Sequence, residues 1–149
     1  MRKRAYLYLV VFLALASFII FTSTNSGASH NSLGGTIITW INNVFFSGSL
    51  TQAECSAVVT ASAKLFGHFS LFLLDGLFFR LFLLETKLGK NKRTLLFLMV
   101  GLLLSIAGEA VQIFSANRYP SVFDVILDYS GFVLPFVFAY FLSWNKANQ

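Results

Sequence analysis

The residues best suited to chemistry are ionisable side chains embedded in apolar stretches of the sequence. Each costs about 2.5–3.5 kcal/mol to place inside a membrane span, so several together predict mutual pairing or a wet cavity. Carboxylates and a histidine can transfer protons, and a neighbouring lysine or arginine can hold a phosphate or an oxyanion. Their spacing along the chain favours shared helix faces. The ionisable candidates are Lys64, His68, Asp75, Glu109, Arg118, Asp124 and Asp128, and the neutral amide of Gln112 joins them because it shares a helix face with Glu109.

Three of these candidates also suit structural roles near helix ends. Asp124 follows Ser121 by three residues, as in a capping box, and a cap explains it as well as ligand binding does. Lys64 could simply anchor a helix end at the lipid headgroups. Arg118 could be a surface cation of a loop, or it could close over a pocket and pair with Glu109 or the aspartates.

Glu109 and Asp128 are harder to explain as structural residues. By helical rise, Glu109 lies about 8 Å below the end of its apolar run. Asp128 lies one turn deeper in the next helix than Asp124, where no free backbone donors remain. His68 alone would be a hydrogen-bonded core residue, but beside carboxylates it becomes a candidate acid or base. We expect His68, Glu109, Gln112 and Asp128 to line a polar pocket, with His68, Glu109 and Asp128 catalytic if the protein is an enzyme.

The segments that carry these residues are predicted to be membrane spans. The 149-residue chain is 56% hydrophobic and only 11% charged, unlike a soluble domain. Four apolar runs reach or approach the roughly 20 residues needed to cross a bilayer. The sequence therefore predicts an all-α integral membrane protein, a single domain over 1–149, with spans at about 6–21, 65–84, 95–114 and 122–141.

The distribution of positive charge predicts the orientation of these spans. Most of the lysines and arginines precede the first span, follow the fourth, or lie in the loop at 85–94. By the positive-inside rule, both termini and this loop are cytoplasmic, and the 22–64 loop is outside. The formal charge of +5 is thus explained by topology and indicates membrane lipids, rather than nucleic acid, as partners.

Shorter signals mark local structure along the chain. The first span could be a cleaved signal peptide, but its apolar core of about 16 residues exceeds the usual 7–15 and favours a retained helix. Apolar residues around Trp40 recur at helical spacing and predict a short interfacial helix on the outer side. Thr51 and Glu54 form a capping-box pattern that opens the next helix. Cys55 is the only cysteine, and we expect it to be a small buried or interfacial residue.

Two patterns predict how the spans pack. Gly101, Ser105 and Gly108 fall on one face of the third span and allow close helix contact. Pro135 lies inside the fourth span, four residues after Gly131, which predicts a kink in mid-membrane.

The polar residues also fall into short motifs that resemble those of a known family. These motifs are Lys64-x-x-x-His68-Phe69, Glu109-x-x-Gln112, and Arg118 followed by Asp124-x-x-x-Asp128-x-x-Gly131. With the number and order of spans, they resemble the VanZ-like membrane proteins, the teicoplanin-resistance family. The chain departs from the family at Asp128, commonly an asparagine there, and at Phe72, commonly a tyrosine.

The resemblance implies a bacterial plasma-membrane protein of the cell envelope. Some members of that family confer low-level resistance to a glycopeptide antibiotic that carries a lipid tail. The residues that we expect to bind a ligand follow from the predicted polar pocket, which opens to the outside and is walled by the second, third and fourth spans: Lys64, His68, Glu109, Gln112, Arg118, Asp124 and Asp128.

Three functions remain open from the sequence. The first is a non-catalytic pocket, open to the outside, that binds an amphiphile such as a lipoglycopeptide or a cell-wall lipid precursor. The second is an enzyme acting on a lipid-linked phosphate through His68, Glu109 and Asp128. A divalent cation held by these oxygen-rich groups is a variant of it. The third is a small transporter that uses Asp75 as a proton site.

Overall fold

The part of the chain that the structure describes is helical and contains no strand. The structure is a computed structural model that describes residues 3–24, 33–114 and 120–147. The elements, in order, are α1 (Lys3–Thr24), α2 (Leu33–Phe45), α3 (Gln52–Leu84), α4 (Lys90–Val111), a 3₁₀ turn (Gln112–Phe114) and α5 (Val122–Ala147).

Four of these helices are long and apolar enough to cross a membrane. The candidate spans are Lys3–Ser23, Leu65–Leu84, Lys90–Phe114 and Val122–Leu142. The predicted all-α membrane fold with four spans is therefore confirmed. The cytoplasmic placement of both termini stays a prediction.

The chain forms two compact units, residues 26–67 and the remainder. In the smaller unit, α2 ends in a turn in which Ser47 and Gly48 adopt positive φ angles of 52° and 72°. The Asn42 side chain holds this turn, because its amide donates to the Leu50 carbonyl at 2.7 Å. The predicted short helix around Trp40 is confirmed as α2, and the Trp40 side chain is exposed.

The smaller unit also contains the predicted capping box. The backbone N–H and the hydroxyl of Thr51 both donate to the Glu54 carboxylate, at 2.9 and 2.7 Å, and the Glu54 N–H points back to Thr51 Oγ1 at 3.3 Å. These bonds hold the pKa of Glu54 below its ordinary value. They start α3 well before its membrane span, and Cys55, just after them, is buried as expected.

The larger unit is built around a layer of phenylalanine rings, one from each span. Phe12 of α1 lies 4.6 Å from Phe79 of α3, measured between ring centroids, and Phe97 of α4 lies 4.9 Å from Phe132 of α5. Phe79 joins the two pairs at 6.2 Å from Phe97 and 6.1 Å from Phe132. Tilted and offset rings at these distances attract one another beyond their buried area. The layer therefore fixes all four spans at one level.

Glycines bring α5 close to its neighbours on either side of this layer. A Cβ atom added at Gly76 of α3 would collide with the Phe132 carbonyl, and one at Gly131 would lie 2.7 Å from the Phe69 carbonyl. On α4, a Cβ at Gly101 would enter the Phe132 ring. The predicted close-contact face of the third span is confirmed. The helix α5 is continuous through Pro135, and the kink predicted there stays a prediction.

The contacts also give the direction of each span. Ile19 and Ser23, late in α1, lie against Gly108, late in α4, so these two helices run in parallel. The short connection between α3 and α4 makes them antiparallel, and α5 returns beside α4. We call the end where α4 stops and α5 starts the site end, and the end where α3 stops and α4 starts the basic end.

Candidate polar binding site

Glu109 is a buried carboxylate that joins the end of α4 to the beginning of α5. It lies in the last turn of α4 and is 2% exposed. One of its oxygens accepts a hydrogen bond from the side-chain amide of Gln112, and the other accepts one from the backbone N–H of Ser121 at 3.0 Å. A negative charge at a helix carboxyl end is unfavourable on its own, so these two donors are what stabilise it there.

Ser121 is the cap residue at the start of α5, and its two capping hydrogen bonds go to different helices: one to α5 and one to Glu109 of α4. Its hydroxyl accepts the backbone N–H of Asp124 at 3.4 Å, as the sequence pattern predicts. In an ordinary capping box, the backbone N–H of the cap residue would donate to the side chain three residues later. Here it donates to Glu109, twelve residues earlier. Half of the predicted capping box is therefore present, because the Ser121 hydroxyl caps α5. In the other half, the Glu109 carboxylate accepts the Ser121 N–H.

His68 and Asp128 form the second pair of the site. His68 Nδ1 of α3 lies 3.6 Å from Asp128 Oδ2 of α5, which is within ion-pair range and longer than a hydrogen bond. Asp128 is 2% exposed in its side chain and His68 is 15% exposed. The close approach of Gly131 to the Phe69 carbonyl brings the two helices together one residue beyond the histidine. Asp128, which no cap could explain, is thus the partner of His68.

Two acceptor oxygens of the site have no hydrogen-bond partner within the described residues. They are Asp128 Oδ1 and Gln112 Oε1, and both atoms are buried. A buried polar atom left without a partner costs about 1–3 kcal/mol. The site is therefore prepared to accept hydrogen bonds from N–H or O–H groups.

Asp75 lies deeper in the bundle and does not share the contacts of the pocket residues. Its side chain is fully buried, and neither carboxylate oxygen has a hydrogen-bond partner in the described residues. It lies on the same face of α3 as Phe72 and Phe79, both buried in the apolar core. By helical rise, it is about 10 Å further along α3 than His68.

The structure brings four of the predicted pocket residues into two contacting pairs. These are His68 with Asp128 and Glu109 with Gln112, on α3, α4 with its 3₁₀ turn, and α5. Asp124 lies nearby in the first turn of α5. The side chain of Lys64 and the whole of Arg118 lie outside the described residues.

Within the described part of the chain, no group of three or more His, Cys, Asp or Glu side chains is arranged to hold a metal ion. The divalent-cation variant of the enzyme hypothesis therefore has no ligand cluster to support it there. We call His68, Asp128, Glu109 and Gln112 together the polar cluster. Its side chains can donate and accept hydrogen bonds. If Nδ1 of His68 carries the proton that faces Asp128, Nε2 remains as an acceptor.

An apolar groove lies beside α1 and α4, below the site end. It is lined by side chains of α1 and by Leu104 of α4, five residues before Glu109. Leu13 and Phe21, two of the α1 side chains in this lining, are at least half exposed. The larger unit therefore has an apolar surface close to its polar cluster.

A backbone N–H of Ser121 is the site group that sequence reasoning missed. Nothing in the spacing of Glu109 and Ser121 reveals the bond, because the sequence of the eleven residues between them shows no regular repeat. The position of Glu109 inside its predicted span does indicate such a bond. A buried carboxylate near a helix end needs hydrogen-bond donors from another element.

Four helices that are long and apolar enough to cross a membrane, with buried polar side chains at one end of the larger unit, are those of a multi-pass membrane protein. The sequence profile of the VanZ/LLP1 family matches residues 6–143, nearly the whole chain, and the protein belongs to that family. The resemblance seen in the motifs is thereby confirmed. No curated protein and no solved structure is significantly similar to the chain.

Proposed function

We propose that the polar cluster at the site end binds the headgroup of an amphiphilic ligand at the outer face of a bacterial plasma membrane. The observation that carries this proposal is the pair of buried acceptors, Asp128 Oδ1 and Gln112 Oε1, that lack partners in the described residues. They match a ligand rich in N–H and O–H donors. Glycopeptides and cell-wall lipid precursors, with their amides and sugar hydroxyls, have that chemistry.

The apolar groove supports a ligand that also carries a tail. Its side chains lie on α1 and at Leu104, within two turns of Glu109 along α4. An acyl chain gains about 0.8 kcal/mol for each methylene group that moves from water into the membrane, and the groove would then position the chain by packing contacts. The tail would keep the ligand in the membrane beside the protein, and the polar cluster would select the headgroup.

Membership of the VanZ/LLP1 family supports a role in the cell envelope. A protein that holds a lipoglycopeptide at the membrane, or that holds the lipid precursor the antibiotic recognises, reduces access of the antibiotic to its target. The result is low-level resistance of the teicoplanin type.

Expression in a susceptible Gram-positive host tests this function. The wild-type chain should raise the inhibitory concentration of an acylated glycopeptide more than that of a glycopeptide without a tail. Asp128→Leu should reduce the increase, because it removes both carboxylate oxygens of the site, including the buried acceptor Oδ1, whereas Glu54→Gln in the exposed cap should not. An unchanged inhibitory concentration in cells whose membranes contain the intact protein would contradict the proposal.

One observation favours catalysis as a second candidate. The His68–Asp128 pair resembles the arrangement in which a carboxylate orients an imidazole for proton transfer. Glu109 is less suited to be a base, because both of its oxygens already accept hydrogen bonds. The purified protein should then convert a labelled lipid-linked phosphate, and His68→Gln should stop the reaction. A labelled substrate that stays intact across a range of pH and metal ions would exclude this candidate.

A further inference from the structure

The basic end of the larger unit contains a second cavity, remote from the polar cluster. It has a volume of about 290 Å³ and lies between α3, α4 and α5. Three cations line it: Arg80 from α3, and Lys90 and Arg93 from the first turn of α4. No carboxylate is among the described residues that line it. The cavity is therefore a concentrated positive site inside the fold.

These three cations have no counter-charge among the residues that the structure describes. Within the described residues, the side chains of Arg80, Lys90 and Arg93 take part in no hydrogen bond or ion pair. Arg80 and Arg93 are only partly exposed, and Arg80 lies inside the membrane span of α3. Cations that are partly removed from water usually have a counter-charge, because desolvation without one is unfavourable.

The start of α4 adds to the positive potential. Gly89 is the cap residue of this 22-residue helix and offers no side chain to its first-turn N–H groups. No acidic residue occupies the first turn. The partial positive charge of the helix end is therefore directed toward the same region as the cations.

Apart from the hydroxyl groups of Thr94 and Tyr140, the rest of the cavity wall is apolar. Phe97 forms part of it and belongs to the buried aromatic layer, and Phe136 packs against Phe97 with ring centroids 5.5 Å apart. At the cavity edge, Leu84 and Tyr140 are 51% and 57% exposed. The apolar wall therefore continues into the surface of the span that faces lipid.

We propose that this cavity is a binding site for an anionic glycerophospholipid. The phosphate would lie among Arg80, Lys90 and Arg93, and the beginning of the acyl chains would lie along Phe136 and Leu84. A free phosphate would use the cations and leave the apolar wall unused. The volume lies near the lower limit of about 300 Å³ for small-molecule sites, so it suits a headgroup and the first carbons of its tails.

The test compares three soluble probes on the full chain purified in a neutral detergent. The probes are dioctanoyl phosphatidylglycerol, dioctanoyl phosphatidylcholine and glycerol phosphate. The first has charge and tails, the second has tails without net charge, and the third has charge without tails. We expect saturable binding of phosphatidylglycerol and much weaker binding of the other two.

Two variants that remove the same number of charges distinguish binding in the cavity from nonspecific attraction of an anionic lipid to a basic protein. Arg80→Gln with Arg93→Gln removes two cavity cations and should weaken phosphatidylglycerol binding about 25-fold, at about fivefold for each cation. Lys87→Gln with Lys92→Gln removes two exposed charges outside the cavity lining and should leave it nearly unchanged. Arg93→Gln alone, at the helix start, should show the single fivefold loss if the double variant folds poorly.

Each other result would overturn the proposal. Equal binding of glycerol phosphate would indicate a free-phosphate site, and equal binding of phosphatidylcholine would show that the cations do not select. Equal losses in the two double variants would show nonspecific attraction. None of these outcomes depends on the polar cluster at the site end.

Discussion

At the scale of single residues, the site end depends on Glu109. Its carboxylate is nearly inaccessible and accepts hydrogen bonds from Gln112 on one side and from the Ser121 backbone on the other. Glu109 therefore has a structural role, because its hydrogen bonds join the end of α4 to the start of α5. The same bonds hold the Gln112 amide so that its carbonyl oxygen remains available.

We predict that Glu109→Gln destabilises the protein by about 1.5–3 kcal/mol. The substitution removes the charge from two hydrogen bonds and places an amide donor against at least one other donor. Denaturant or thermal unfolding in detergent measures the loss. Glu54→Gln makes the same chemical change at an exposed cap and should have a smaller effect. Equal stability of Glu109→Gln and the wild type would show that the buried bonds contribute little.

Asp75 should behave in the opposite way. Because neither of its oxygens has a partner within the described residues, Asp75→Asn breaks no bond and removes an ionisable group from the apolar core. We predict an unchanged or higher melting temperature in the same assay. A marked loss of stability would contradict this prediction. Loss of proton-coupled uptake in vesicles by the folded variant would support the transport function that the mid-span position of Asp75 suggests.

At the scale of elements, the sequence predicted the helices better than their contacts. The four spans, the helix around Trp40 and the Thr51–Glu54 cap follow from hydropathy, helical periodicity and local hydrogen bonding, which are all short-range properties. The His68–Asp128 pair depends on how closely α3 approaches α5. Gly131 permits that approach, but in the sequence it lies four residues before Pro135 and is equally typical of a proline kink.

The approach of α3 to α5 can be tested with two glycines of the same helix. Gly76→Ala should destabilise the protein by about 1–3 kcal/mol or more, because the new Cβ collides with the Phe132 backbone, which cannot move freely. Gly67→Ala meets nothing within 4 Å and should be neutral or stabilise α3 by about 0.5–1 kcal/mol. Unfolding curves of the two variants give the comparison. Similar stabilities would contradict close packing at Gly76.

The cap of α3 should depend on pH. Thr51 holds the pKa of Glu54 below its ordinary value of 4.5, so the carboxylate form stabilises the helix start. That stabilisation is complete above pH 4.5 and is lost as the pH falls through the lowered pKa. Hydrogen exchange at the Thr51 and Glu54 amides should therefore accelerate, beyond the intrinsic pH effect, only in acid. Glu54→Gln should lack this step, and a step that persists in the variant would point to another group.

At the scale of the whole molecule, the larger unit has two chemically different ends. Carboxylates and a histidine occupy the site end, cations occupy the basic end, and the phenylalanine layer lies between them. The charge distribution in the sequence already predicted this polarity, because lysine and arginine concentrate in the parts of the chain predicted to be cytoplasmic. The basic cavity itself could not be predicted, since its three cations come from two helices whose packing sets their spacing.

The proposed function requires that headgroup and tail be recognised together. A ligand held only by its tail would be insensitive to Asp128, and one held only by its headgroup would be insensitive to deacylation. Both dependences can be measured on one purified sample. Phosphatidylcholine nanodiscs contain no anionic lipid, so binding of such a lipid at the basic cavity does not affect the measurement.

The most direct measurement is the binding of a fluorescent acylated glycopeptide to the protein in such nanodiscs. The account predicts saturable binding that weakens when the acyl chain is removed from the probe. We also predict weaker binding to Asp128→Leu, which lacks both carboxylate oxygens, and unchanged binding to Glu54→Gln. No saturable binding to the folded wild-type protein, or equal binding by wild type and Asp128→Leu, would contradict the proposed function.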